Sequence, residues 1–164
     1  MAISVARKAG LPIRLAGPIQ GVMGDPEYFQ RHIRPHVDGD RVQYVGEVGP
    51  AQRLALYQGA KALLAPLQWR EPFGLTLIEG MACGTPVIAF PQGSPEELIA
   101  DGVSGYVAHS PREMVERIGD VARLAPEKVR AHVTSCFSVD RMVDGYVGIY
   151  EGALARSRSH DARS

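Results

Sequence analysis

Trp69-Arg70-Glu71-Pro72-Phe73-Gly74-Leu75-Thr76-Leu77-Ile78-Glu79-Gly80-Met81-Ala82-Cys83-Gly84-Thr85-Pro86-Val87-Ile88-Ala89-Phe90 contains a loop, a helix, a helix stop and a strand in one run. The helix begins near Leu75 and ends at Gly84, and an apolar strand follows at Pro86–Phe90. A strand candidate at Ala62-Leu63-Leu64-Ala65 precedes it, so the unit reads strand, loop, helix, strand. Loops at the carboxyl ends of parallel strands are where open α/β sheets bind ligands, and this loop runs straight into a helix start. Gly74 has no Cβ to keep a ligand away from the backbone. The amides of Leu75 and Thr76 fall in the first helical turn, which suits a diphosphate without a lysine. Glu79 lies one turn further on and can accept two hydroxyl hydrogen bonds, as a ribose diol offers.

The same alternation extends outward. Further strand candidates are Ile13–Ala16, Val42–Val45 and Gly105–Ala108, several of them continuous apolar runs of the kind covered on both faces. Asp25-Pro26-Glu27, Ser94-Pro95-Glu96-Glu97 and Ser110-Pro111-Arg112-Glu113 open helices, the two serines as N-caps in capping boxes. Gly10 stops a helix over Ala2–Ala9. The expectation is an α/β, Rossmann-like parallel sheet with helices on both faces over residues 1–154. A last long helix from near Ser138 places Met142, Val143, Tyr146, Ile149 and Tyr150 on one side, read as core packing. Residues 155–164 lack an apolar anchor and are expected to be a disordered tail.

Composition narrows the function classes. The chain has 164 residues, 45% apolar and 22% charged, with 18 basic side chains against 18 acidic ones. A neutral chain offers no whole-molecule field for nucleic acid or an anionic membrane, so no nucleic-acid partner is expected. Cys83 and Cys136 form no metal-spaced pair, and no leader or membrane-length apolar run is seen, which reads as a reduced cytoplasmic protein. His32 and His36 are four apart, but Pro35 intervenes and no third ligand is evident, so no metal site is expected. From the residues alone, Glu71 is equally an ordinary loop acid and Glu79 a solvated helix residue.

Resemblance shifts that balance. Glu71 and Glu79 with seven residues between them, Phe73-Gly74-Leu75 inside and Met81-Ala82-Cys83-Gly84-Thr85-Pro86-Val87 after, are similar to the signature of glycosyltransferase family four. Leu15-Ala16-Gly17, Tyr44-Val45-Gly46, Asp101-Gly102-Val103-Ser104-Gly105 and Phe137-Ser138 resemble its other blocks, nearly to Leu154. The resemblance implies the C-terminal donor-binding domain of a retaining GT-B glycosyltransferase, with a nucleotide sugar as donor and no cofactor or metal. By motif position Glu71 is the catalytic acid facing the transferred sugar. Phe73, Gly74, Leu75 and Thr76 contact sugar and diphosphate, Glu79 holds the ribose, and Val48 helps to seat the base.

The family's acceptor-binding N-terminal domain has no counterpart in these residues. Its opening donor-domain strand, ending in Gly-Arg, has none either, since Met1–Gly10 resembles the helix that follows it. The expectation is therefore a domain without its first strand, inactive alone, weak in nucleotide-sugar binding and completed by a separate acceptor-binding domain. Peripheral membrane association would come only through that missing domain. The alternatives are a noncatalytic nucleotide-sugar-binding remnant and a domain that docks a partner through the Tyr146/Tyr150 helix.

Overall fold

Most helix starts are set by a proline or a small polar residue, and most strands by a short, largely apolar run. The computed structural model describes residues 1–20 and 24–161, with side chains up to residue 157. In chain order the principal elements are α1 (Ala2–Lys8), β1 (Ile13–Ala16), α2 (Pro26–Tyr28), β2 (Val42–Gly46), α3 (Pro50–Gln58) and β3 (Leu63–Ala65). They continue with α4 (Leu75–Ala82), β4 (Val87–Ala89), α5 (Pro95–Leu98), β5 (Gly105–Val107), α6 (Pro111–Asp120), α7 (Pro126–Cys136) and α8 (Val139–Asp161). All five expected strands are present, within a residue or so of their expected ends.

The strands form two parallel sheets, not one. β1 pairs with β2 from Ile13 opposite Val42, with a register shift between Leu15 and Ala16. β3, β4 and β5 form the second sheet in that order, Leu63 opposite Val87 and Val87 opposite Gly105. The fold is α/β and Rossmann-like, as expected.

Both faces of the second sheet are covered, so β4 is apolar at every position. Val87 and Ala89 pack with Leu77 and Met81 of α4 and with Val129 and Val133 of α7. Ile88 points the other way, onto Val5 of α1 and onto Met114 and Ile118 of α6. Burying side chains of this size contributes about 1.5–3 kcal/mol each.

Three expectations need correction. Ser110 does cap α6, its hydroxyl accepting from the Glu113 N–H at 3.1 Å, but Glu113 returns its bond to the His109 N–H. Ser94 caps nothing: its backbone is already helical, and its Oγ is buried with no partner among the described residues. The stripe on α8 is not core. Met142, Tyr146, Ile149 and Tyr150 are 54%, 55%, 64% and 62% exposed, because no other element of the described chain covers them.

The helix also continues to Asp161, past the expected start of a disordered tail at 155, since Ala153-Leu154-Ala155-Arg156 are strong helix formers. Residues 162–164 of that tail lie outside the described residues. No described helix is long and apolar enough to cross a membrane.

Candidate donor site

The start of α4 is built by one conformational requirement. Gly74 is its N-cap residue at φ 82°, in the left-handed region that β-carbon-bearing residues avoid. A Cβ there would also lie 2.9 Å from both Ser94 Oγ and a Leu98 methyl, so the position requires glycine twice over. This turn swings the loop off β3 and aims the first helical amides outward. The N–H groups of Leu77 and Ile78 bond back to the Gly74 carbonyl. Those of Leu75 and Thr76 have no partner among the described residues, which leaves two donors at the positive end of the helix.

Glu71 closes on this same helix start. One carboxylate oxygen accepts from the Gly74 N–H at 3.0 Å and, more weakly, from the Phe73 N–H at 3.4 Å. The other accepts from the Trp69 indole N–H at 3.3 Å. The Glu71 backbone is tied to the next loop, its carbonyl accepting from the Ser94 N–H and its N–H donating to Gln92. Five hydrogen bonds therefore fix the direction of Glu71, and Phe73, Leu75 and Trp69 stand exposed around it.

Glu79 projects from the other side of α4, toward α3. Its Oε2 accepts from the Tyr57 hydroxyl at 3.2 Å and pairs with Arg53 Nε at 3.2 Å. Burial, then the neighbouring Glu79 charge, push the Tyr57 phenol up to about 12. An open cleft of about 1230 Å³ runs from here between the two sheets, and Val48, Arg53, Tyr57 and Thr76 all line it.

The structure thus sorts the expected residues into two groups joined by α4. Glu71, Phe73, Gly74 and Leu75 surround the helix start. Thr76 and Val48 share the cleft, and Glu79 reaches its wall through Arg53 and Tyr57. Sequence reading missed those last two. Nothing in the sequence of α3 announces that α4 lies beside it. His32 and His36, the weak metal pair, are separated by a break from π-type to 3₁₀ geometry, and His36 Nδ1 meets Arg7 at 3.2 Å.

Parallel strands, a glycine-turned helix start with unpaired amides and carboxylates on both sides of it define a Rossmann-like domain with a site suited to a phosphorylated ligand. More narrowly, the chain belongs to the glycosyl transferases group 1 family, whose model matches residues 8–132. Its place there is the GT-B C-terminal domain. It is 30% identical over 151 residues to a D-inositol 3-phosphate glycosyltransferase of Acidothermus cellulolyticus, covering 88% of this chain and 34% of that protein. The corresponding protein of Segniliparus rotundus is 31% identical over 163 residues, covering 94% and 36%. The chain spans about a third of the length of these curated relatives.

Among solved structures, AviGT4, a glycosyltransferase involved in avilamycin A biosynthesis, aligns with a TM-score of 0.76 at 28% identity, over 94% of this chain and 46% of that one. Anabaena HepE, solved in complex with UDP-glucose, shares the fold with a TM-score of 0.73 at 21% identity, over 93% and 45%.

Proposed function

We propose that this domain binds the nucleotide-sugar donor of a retaining glycosyltransferase at the start of α4. The carrying observation is the pair of unpartnered Leu75 and Thr76 amides beyond Gly74. They offer a diphosphate two hydrogen bonds and a helix dipole, with neither lysine nor metal needed. Val48 lines the cleft, where it would help to seat a base, and Glu79 would hold the ribose from beside Arg53 and Tyr57, which line the same cleft. Only one Glu79 oxygen is engaged by Tyr57 and Arg53, so its other oxygen is open to a hydroxyl.

Glu71 has the remaining role. Its carboxylate is held at the helix start by the Gly74 and Phe73 N–H groups. As the nucleoside diphosphate departs, the sugar carbon gains positive charge, and a fixed carboxylate beside it offsets that charge. The diphosphate's own charge is taken up by the helix amides, which separates the two electrostatic tasks along one short loop. Acceptor attack comes from the front face, and the acceptor is held by a separate N-terminal domain.

Calorimetric titration with UDP, GDP and ADP and their glucose or mannose conjugates tests this. The expected result is saturable binding to one nucleotide series, weakened roughly tenfold by Glu79→Ala through loss of a charged hydrogen bond. Absence of binding to every compound, or binding indifferent to Glu79→Ala, would refute the donor site. The exposed α8 stripe favours a second reading, a domain that docks a partner and has no nucleotide affinity; the same titration separates the two.

A further inference from the structure

Trp69 is the largest side chain of the loop between β3 and α4, and 57% of it is exposed. An exposed apolar residue is ordinary by itself. This one is tied down. Its indole N–H donates to Glu71 Oε2 at 3.3 Å, and no ring or cation stacks on it among the described residues. The loop is also locked at its base. Glu71 bridges to Gly93 as a parallel pair, and a Cβ at Gly93 would meet the Glu71 carbonyl at 2.5 Å. The two oxygens of Glu71 are unequal. Oε1 is taken by the Gly74 and Phe73 N–H groups, whereas Oε2 has only the indole and keeps accepting capacity. An open aromatic surface and a half-engaged carboxylate thus lie one hydrogen bond apart.

We infer that Trp69 receives the sugar of the donor, its ring laid against one face of a pyranose while a hydroxyl of that sugar reaches Glu71 Oε2. The inference rests on the donor-site reading and goes beyond it, naming the side chain that distinguishes a sugar conjugate from its bare nucleotide. The chemistry is complementary. A pyranose with equatorial hydroxyls carries slightly positive C–H groups on its faces, and the face of an indole is negative. The hydroxyls stand around the rim, where a carboxylate accepts them strongly. A diphosphate offers no such face, and the free amides of Leu75 and Thr76 are the donors that suit it. A base could stack on an indole, but Trp69 lies outside the cleft that Val48 lines. A structural role confined to aiming Glu71 needs the N–H alone, and a glutamine side chain supplies one.

Trp69 is the single tryptophan of the chain, so tryptophan emission reports this residue and no other. The emission is excited at the red edge of indole absorption and quenched with acrylamide. It is measured for the free chain, with UDP, GDP or ADP, and with the glucose or mannose conjugate of each. The conjugate should shield the indole and cut quenching several-fold, while the bare nucleotide leaves it near the free value. Calorimetry then follows the ratio of conjugate to bare-nucleotide affinity in two variants. Trp69→Gln keeps a donor and loses the ring, and should shift that ratio against the conjugate roughly fivefold. Trp69→Phe keeps a ring and loses the donor, and should shift it less. If either variant does not fold, the wild-type emission decides alone. Equal shielding by nucleotide and conjugate, no shielding by a bound conjugate, or a ratio that Trp69→Gln leaves unchanged would overturn the inference while nucleotide binding stands. Failure of every compound to bind the wild-type chain would overturn the donor site and this inference together.

Discussion

β4 and β1 are both short parallel strands, yet they live in different surroundings. β4 has a strand on each edge and helices on each face, and Val87, Ile88 and Ala89 are fully buried. β1 has one neighbour, and its four residues alternate between half-buried and exposed. β4 is wholly apolar and β1 carries Arg14, and the number of elements that come to lie against each strand differs in the same sense. The three-stranded sheet holds most of the core, and the β1–β2 pair is an outlying unit that leans on the rest through α1 and α3.

The largest effect that would break this comparison is a pair of matched truncations. Ile88→Ala opens a cavity between α1, α6 and the sheet, and should cost about 2–5 kcal/mol. Leu15→Ala removes a similar volume from a half-open strand and should cost below about 1.5 kcal/mol. Chemical denaturation of both variants measures the ratio. Equal losses would mean that the cleft beside β1 is closed in solution and the two sheets share one core.

A smaller effect sharpens the contrast at the junction of the donor site with the packed sheet. Gly74→Ala places a Cβ at positive φ and against Ser94 and Leu98, so it should cost about 1–3 kcal/mol. The loss should come with weaker nucleotide binding, because the turn that frees the Leu75 and Thr76 amides is disturbed. A variant as stable as wild type, with unchanged titration, would show that the helix start is not held by this turn.

Legibility in the sequence followed the same division. Wherever one element decides its own geometry, the residues announce it: Asp25 and Ser110 cap their helices, and all five strand candidates are strands. The Gly74 turn and the helix start after it were equally readable, because a glycine and a helix start lie next to each other in the chain. What could not be read depends on elements distant in sequence. Ser94 carries the same Ser-Pro-Glu pattern as Ser110, but its hydroxyl is drawn under Gly74 and makes no cap. The α8 stripe recurs at helical spacing, and periodicity does not say whether a neighbour exists. The Arg53–Tyr57–Glu79 cluster needs α3 and α4 side by side, a fact of topology that neither helix encodes.

That cluster supplies the smallest expected effect and the most direct probe of the link between the two units. α3 leaves β2 and enters β3, so the Tyr57–Glu79 bond ties the outlying pair to α4 of the packed sheet. Burial and the Glu79 charge both favour the neutral phenol, raising its pKa from an ordinary value of about 10 to about 12 in the fold. A proton held more tightly by the folded state stabilises it fully below the unfolded pKa. That contribution is then lost as pH rises through the folded one, here between about 10 and about 12. In a spectrophotometric titration of the six tyrosines, one should ionise last, and Tyr57→Phe should remove that step. Glu79→Gln should move the step down without returning it to the ordinary value, because burial, the larger cause, remains. If all the phenols ionise together near the ordinary value, α3 does not rest on α4 in solution. The β1–β2 pair would then be held to the sheet by α1 alone.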